Sequence, residues 1–133
     1  RTPWWLKRLY PKCIWDIAAQ DKTVFLTFDD GPHAEATPFV LKQLERFNSK
    51  ATFFCIGKNV VAHPDIFEQI KAADHSIGNH TMHHANGWKT DNHTYIEEIL
   101  QAHSVIHSNL FRPPYGRIKK AQIKLLLSQN PHM

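Results

Sequence analysis

The sequence predicts an α/β fold built on a parallel sheet, either open or closed into a barrel. Short apolar segments typical of strands alternate along the chain with segments whose apolar residues recur at helical spacing. Polar clusters follow three of the four strand segments. Catalytic groups of a parallel α/β barrel lie at these carboxyl ends. Four strands are too few to close such a barrel, so we expect an incomplete one.

Each predicted element follows from a local pattern in the sequence. Strands are expected where β-branched, aromatic or other apolar residues cluster before a turn, over residues 23–28, 51–56, 75–78 and 110–111. Helices are expected where apolar residues repeat every three or four positions, over residues 35–47, 65–73, 94–107 and 118–128. Together they form one domain, residues 23–133, and we expect the N-terminal extension, residues 1–22, to pack on it.

Composition argues against two broad classes of protein. The formal net charge of +4 is spread along the chain and forms no basic stripe, so we expect no nucleic-acid partner. No apolar run approaches the roughly 20 residues that a membrane helix needs, so we expect no transmembrane segment.

The first residues lack the sustained apolar stretch of a signal peptide. The two cysteines, Cys13 and Cys55, form no CxxC motif, and Cys55 lies in an apolar segment where a buried, unreactive thiol is expected.

Two adjacent carboxylates, Asp29 and Asp30, end the first predicted strand and precede Gly31 and Pro32. Taken alone, this tetrapeptide is most often a surface turn. Neighbouring strand residues point to opposite faces, but a turn at Gly31 would let both carboxylates approach one centre. Beside a cation, one could serve as a ligand and the other as a base.

A second polar cluster, residues 80–84 with the sequence HTMHH, follows the third predicted strand. Histidines four residues apart lie on one side of a helical turn, so His80 and His84 could reach one metal ion. Ordinary polar histidines are the alternative, because the chain has ten of them. A carboxylate from another strand end would complete a set of two histidines and one carboxylate, which leaves positions open for water and substrate.

Other histidines receive a structural interpretation. His103 and His107 have the same spacing, but they are predicted to lie mid-helix and are interpreted as histidines of a helix face. His83 lies between the two candidate ligands and is not expected to bind the metal.

The third polar cluster, residues 111–116 with the sequence FRPPYG, follows the last predicted strand. Its two prolines make the segment stiff and extended, so it could hold Arg112 and the Tyr115 backbone in fixed positions. An arginine beside a catalytic carboxylate would fix the orientation of that carboxylate. A rigid loop with a solvated arginine is the alternative.

The motifs TFDDGP (27–32), HTMHH (80–84) and RPPY (112–115), in this order, resemble those of polysaccharide deacetylases of the NodB-homology kind, also called carbohydrate esterase family 4. The similarity extends from about residue 23 to 117. The resemblance implies a distorted (β/α) barrel, here incomplete. It also implies a metal-dependent hydrolase that removes N-acetyl or O-acetyl groups from an oligo- or polysaccharide by means of a metal-activated water.

The resemblance implies a role for each motif residue. Asp30, His80 and His84 match the ligands of one divalent metal. Zinc suits this ligand set best, and cobalt, nickel or iron would also fit. Asp29 matches the general base, and Arg112 matches the residue that tethers it.

Two further positions match supporting roles in the family. The Tyr115 backbone N–H matches an oxyanion donor, and Thr81 matches the hydroxyl residue that steadies the ligand loop. Two later family motifs, including the histidine that acts as general acid, have no match after Arg117. A catalytically silent remnant that binds metal or sugar is therefore the alternative. The resemblance suggests an extracellular or periplasmic location, and an open sheet edge could support self-association.

Overall fold

A parallel sheet with helices between its strands forms the centre of the structure. The computed structural model describes residues 2–19 and 22–133. Its strands, in spatial order, are β1 (Leu26–Asp29), β2 (Ala51–Cys55) and β3 (Ser76–Asn79). Both neighbouring pairs are parallel, so each strand connects to the next by a helical crossover. The predicted α/β class is confirmed.

Six α-helices and one 3₁₀ turn (Pro114–Gly116) complete the described part of the chain. The helices are α1 (Trp4–Leu9), α2 (Ala36–Arg46), α3 (Gly57–Ala62), α4 (Pro64–Ala72), α5 (Asn92–Ile106) and α6 (Lys120–Gln129). The four predicted helices correspond to α2, α4, α5 and α6. None of the helices described combines the length and apolar character needed to cross a bilayer.

Two helix predictions need correction. The short helix α3 was not predicted, because six residues beginning with glycine carry too little periodicity. Gly57 lets α3 approach α5 closely: a Cβ added there would lie 3.2 Å from the Cα of Ala102. Helix α5 begins two residues earlier than predicted, because the Asp91 side chain accepts hydrogen bonds from the N–H groups of His93 (3.0 Å) and Thr94 (3.1 Å).

The predicted fourth strand, residues 110–111, is wrong in extent. Within the described residues it is reduced to one parallel bridge, Phe111 to Asn79. Asn79 N–H donates to the Leu110 carbonyl (2.7 Å), and Arg112 N–H donates to the Asn79 carbonyl (3.0 Å). Pro113 follows and has no N–H to continue the ladder. The first strand was also placed too early, since β1 begins at Leu26 rather than residue 23.

The apolar core has two parts, which meet along α5. The larger part lies between the sheet and helices α2 to α5 and includes Phe53, Ile70 and Cys55. The smaller part lies between α5 and α6 around Ile99. Cys55 is fully buried, and burial raises the pKa of its thiol to about 12, as expected for an unreactive cysteine.

Strand β1 forms one edge of the described sheet, since it pairs only with β2 there. Val24, Phe25 and Leu26 beside this edge are exposed. Self-association through the edge stays a prediction, as does packing of the N-terminal extension. Residues 1, 20 and 21 of that extension lie outside the described residues, and its visible contact with α6 is Lys120 Nζ, 5.8 Å from the centroid of the Tyr10 ring.

The position of Ile99 predicts a large stability effect. Its side chain is fully buried, so Ile99→Ala should lower the free energy of unfolding by about 2–5 kcal/mol. Val61→Ala on α3 is the matched control, because Val61 is 59% exposed and should change stability by less than about 0.5 kcal/mol. Urea unfolding followed by circular dichroism measures both, and equal effects would contradict this packing.

Candidate active site

The chain turns sharply where β1 ends. Asp30 adopts a left-handed backbone conformation (φ 71°), which aspartate tolerates better than most residues. The side-chain amide of Asn59 donates to the Asp30 carbonyl (2.8 Å), and Ile56 N–H donates to the Gly31 carbonyl (2.9 Å). The turn therefore occurs at Asp30, and its predicted place at Gly31 is wrong by one residue. It leaves Asp29 and Asp30 facing different partners.

His80 lies directly after β3 and is almost fully buried. Its Nδ1 is 2.7 Å from the Arg112 carbonyl oxygen. A carbonyl can only accept, so Nδ1 carries the proton and Nε2 is left with a free lone pair. Burial lowers the pKa of His80 and outweighs the Arg112 carbonyl and the carboxylates of Asp29 and Asp30, which raise it. The neutral imidazole is thus the favoured form.

The segment 80–84 is a loop, so the predicted helical turn is wrong. Thr81 and His84 both have positive φ angles, 65° and 59°. The Thr81 hydroxyl accepts from Ala85 N–H (3.0 Å), and Met82 N–H donates to the Glu98 carbonyl (3.0 Å). The loop conformation, rather than helical spacing, turns His84 back toward His80.

Asn79 anchors this loop from beneath and was not identified from the sequence. Its side chain is fully buried. The amide donates to the Ile99 carbonyl (2.8 Å) and its oxygen accepts from Thr81 N–H (2.8 Å). A polar residue that ends an apolar strand is the only sequence signal for this role. Asn79 ties the loop to helix α5.

Asp30, His80 and His84 converge on one point. Their candidate ligand atoms all lie within 4.8 Å of one another. Asp30 Oδ1 is 3.1 Å from His84 Nε2 and 3.5 Å from His80 Nε2. His80 Nε2 carries a lone pair and faces Asp30 Oδ1, an oxygen that also carries lone pairs. Two hydrogen-bond acceptors that face each other in this way could both coordinate a cation between them.

Arg112 joins the first and third motifs. Its Nη1 donates to Asp29 Oδ1 (2.7 Å) and to the Thr27 hydroxyl (3.0 Å). Its guanidinium carbon lies 4.0 Å from the centroid of the Phe54 ring. Phe54 in turn lies over Gly78, where an added Cβ would be 2.3 Å from the ring. The stack of glycine, phenylalanine and arginine thus holds the side chain that orients Asp29.

Thr27, Phe54 and Gly78 were not predicted as part of the site. For Thr27 a signal existed, because residues two apart on a strand share a face with each other. The side chains of Phe54 and Gly78 look like ordinary strand residues in the sequence. Only the register, which places Asp29 beside Phe54 and Phe54 beside Gly78, reveals them.

Tyr115, in the third polar cluster, borders the triad. Its ring lies 4.7 Å from the His84 ring, centroid to centroid, and the side chain is 63% exposed. Its backbone has a positive φ of 59°. Among residues 2–19 and 22–133, the Tyr115 N–H donates no backbone hydrogen bond outside the regular elements. This donor is available to a ligand.

The remaining histidines lie apart from this convergence. His83 pairs with Glu98 (Nδ1 to Oε1, 2.7 Å). His103 Nδ1 lies 3.1 Å from the Ser108 carbonyl oxygen. His107 was predicted to lie mid-helix, but it ends α5 in a left-handed conformation with φ 54°.

A family model described as polysaccharide deacetylase matches residues 16–130. The chain belongs to this family. It is 40% identical over 113 residues to a peptidoglycan-N-acetylglucosamine deacetylase of Bacillus cereus, covering 80% of this chain and 41% of that protein. The family resemblance seen in the three motifs is thereby confirmed.

Solved structures of deacetylases share the fold. A peptidoglycan N-acetylglucosamine deacetylase crystal structure matches with a TM-score of 0.76 and 38% identity, covering 80% of this chain and 52% of the other. An acetyl xylan esterase of family 4 from Clostridium thermocellum, in complex with a cobalt ion, matches with a TM-score of 0.70 and 29% identity, covering 75% and 52%. The chain thus spans about half the length of these relatives.

The buried hydrogen bonds of Asn79 predict a stability effect. Asn79→Ala leaves the Thr81 N–H without its partner and removes the second hydrogen bond that the Ile99 carbonyl accepts beside its helical one, which together should cost about 1–3 kcal/mol of unfolding free energy. Ser76→Ala, at the exposed start of β3, is the matched control and should change stability by less than about 0.5 kcal/mol. Thermal and urea unfolding measure both. An Asn79→Ala protein as stable as the control would contradict the anchoring role.

Proposed function

We propose that this chain carries the metal site and general base of a carbohydrate deacetylase, which hydrolyses N-acetyl groups of an acetylated oligo- or polysaccharide. One observation carries the proposal: the Asp29–Arg112 pair lies beside the convergent triad of Asp30, His80 and His84. A carboxylate base next to a cation site is an arrangement suited to the metal-assisted hydrolysis of an amide or ester by water.

The triad would hold one divalent metal through Asp30 oxygen and the Nε2 atoms of His80 and His84. The lone pair on His80 Nε2, set by the bond from Nδ1 to the Arg112 carbonyl, supports this assignment. When bound, the metal would polarise the acetyl carbonyl and lower the pKa of a water molecule. Zinc is the metal that two histidines and one carboxylate suit best, with cobalt, nickel or iron as alternatives.

Asp29 would accept the proton of the attacking water. Arg112 holds one of its oxygens, Oδ1, at 2.7 Å, which fixes the carboxylate and would leave Oδ2 for the proton transfer. Thr27 and Phe54 hold Arg112 in turn, so the base keeps one orientation. A base held in one orientation lowers the entropic cost of reaching the reactive geometry.

The Tyr115 N–H would stabilise the negative charge that develops on the acetyl oxygen. Backbone donors aimed at a developing oxyanion contribute strongly in such sites because they need no reorganisation. The positive φ of Tyr115 and the packing of its ring against His84 hold this donor beside the triad. When the tetrahedral species collapses, the C–N bond would break and the leaving nitrogen would take up the proton held by Asp29, which releases acetate and the amino sugar.

Zinc binding tests the triad. Isothermal titration calorimetry on untagged protein should show one zinc per chain. Asp30→Ala, His80→Ala and His84→Ala should each weaken binding by at least about tenfold, since each removes one of three ligands. His83→Ala and His103→Ala are matched controls and should bind zinc like the wild type. Zinc binding that survives loss of His84 but not of His103 would contradict the assignment.

The two aspartates should respond differently to the same substitution. Asp29→Asn should keep zinc affinity but lower the rate of acetate release by about 10²–10⁴-fold, since the amide cannot accept a proton. Asp30→Asn should weaken zinc binding, and its activity should return in part with excess zinc. Acetate release from an N-acetylglucosamine oligomer, followed during a zinc titration, measures both.

The reverse pattern, in which zinc rescues Asp29→Asn and leaves Asp30→Asn inactive, would exchange the two roles. A wild-type chain that binds zinc but releases no acetate would support the alternative of a silent remnant.

A further inference from the structure

One exposed tryptophan lies beside the candidate site, in the loop between β3 and α5. Trp88 is 59% exposed, although burying an indole would remove a large apolar surface from water. The guanidinium carbon of Arg117 lies 5.2 Å from the centroid of its ring. Arg117 is itself exposed. The pair therefore forms an open aromatic surface whose indole is held from one side by a cation–π contact.

The loop that carries Trp88 is held firmly. Trp88 N–H donates to Asn86 Oδ1 (3.0 Å), and Thr90 N–H donates to the Asn86 carbonyl (3.0 Å). The fully buried side chain of Gln122 donates from Nε2 to the Gly87 carbonyl (2.8 Å). The exposure of Trp88 is thus built into an ordered loop rather than a result of a loose one.

Gly87 shows how closely this loop packs on the segment after Tyr115. A Cβ added at Gly87 would lie 2.4 Å from the Arg117 carbonyl oxygen and 2.9 Å from Gln122 Oε1. A side chain at this position would push the two segments apart. Glycine therefore allows the contact that places Trp88 against Arg117.

The segment from His84 to Trp88 and the segment from Tyr115 to Arg117 also lie beside the triad. His84 contacts Tyr115, with ring centroids 4.7 Å apart. Trp88 lies four residues after His84 and contacts Arg117, which lies two residues after Tyr115. Two residues of chain span at most about 7 Å between Cα atoms. The Cα of Arg117 therefore lies within about 7 Å of the Cα of Tyr115, so the Trp88–Arg117 pair and the His84–Tyr115 pair lie on the same two packed segments.

We propose that Trp88, held by Arg117, is a stacking platform for a sugar ring adjacent to the acetylated residue. A pyranose presents a face of C–H groups, which packs on the apolar, electron-rich face of an indole. The guanidinium keeps the indole in place and leaves its open surface to the sugar. The identity of the ligand as an N-acetylated glycan rests on the proposed function, whereas the platform itself rests on the geometry above.

Binding to metal-free protein tests the platform apart from catalysis. After treatment with EDTA, N-acetylglucosamine pentamer is titrated into each protein by calorimetry. Trp88→Ala should raise Kd by about tenfold, equivalent to about 1.4 kcal/mol, while Trp88→Phe should retain most of the affinity. Trp4→Ala is the matched control, because Trp4 is 73% exposed on α1 and should leave Kd unchanged.

Steady-state kinetics on the zinc-loaded protein provide a second readout. Trp88→Ala should raise KM for the pentamer by about tenfold with kcat within about twofold of wild type, the pattern of a lost ground-state and transition-state contact. Hydrolysis of a small acetyl ester such as 4-nitrophenyl acetate should be unchanged, because it reaches the triad without the platform.

The outcomes separate this proposal from the proposed function. If no acetate is released but Trp88→Ala still weakens pentamer binding, the platform stands and the deacetylase assignment fails. If acetate release is normal and neither Kd nor KM changes in Trp88→Ala, the platform fails alone. Absence of pentamer binding to the wild-type chain, at concentrations that saturate turnover or up to 10 mM (about −2.7 kcal/mol), also overturns it.

Discussion

The hydrogen bond from His80 Nδ1 to the Arg112 carbonyl, 2.7 Å long, is the contact on which the site depends. It joins the end of β3 to the segment that follows the parallel bridge, and it sets the imidazole tautomer. The same residue, Arg112, holds Asp29 through its guanidinium. One arginine therefore orients His80, the proposed metal ligand, with its backbone and Asp29, the proposed general base, with its side chain, so the two halves of the proposed chemistry keep a fixed spacing.

Buried groups that take no part in the chemistry hold this arrangement. Asn79 links the loop to helix α5, and Gly78 leaves room for the Phe54 ring beneath the Arg112 guanidinium. Phe54 comes from β2, the central strand, and Gly78 and Asn79 come from β3. The opposite side of the triad is open, since the Asp30 side chain is 63% exposed. The sheet thus holds the triad from one side and leaves the other side exposed.

The ends of the strands and the candidate site residues near them could be predicted from the sequence, because both depend on patterns of neighbouring residues. Asp29 and Asp30 end one predicted strand, and HTMHH follows another, so their convergence at one edge was predictable. The path of the backbone could not be predicted from the sequence. The left-handed conformations of Asp30, Thr81 and His84 depend on partners elsewhere in the chain, such as Asn59. For the same reason the sequence indicated a helical turn over 80–84 where tertiary hydrogen bonds impose a loop.

Long-range ¹H–¹⁵N NMR of the histidine side chains tests the central contact most directly. The account predicts that His80 is neutral, with a proton on Nδ1 and none on Nε2, and that zinc shifts the Nε2 resonance while Nδ1 keeps its proton. His80→Ala identifies the signal. A His80 ring protonated on Nε2, or a Nδ1 that loses its proton when zinc is added, would contradict the arrangement from which the metal site and the proposed activity were inferred.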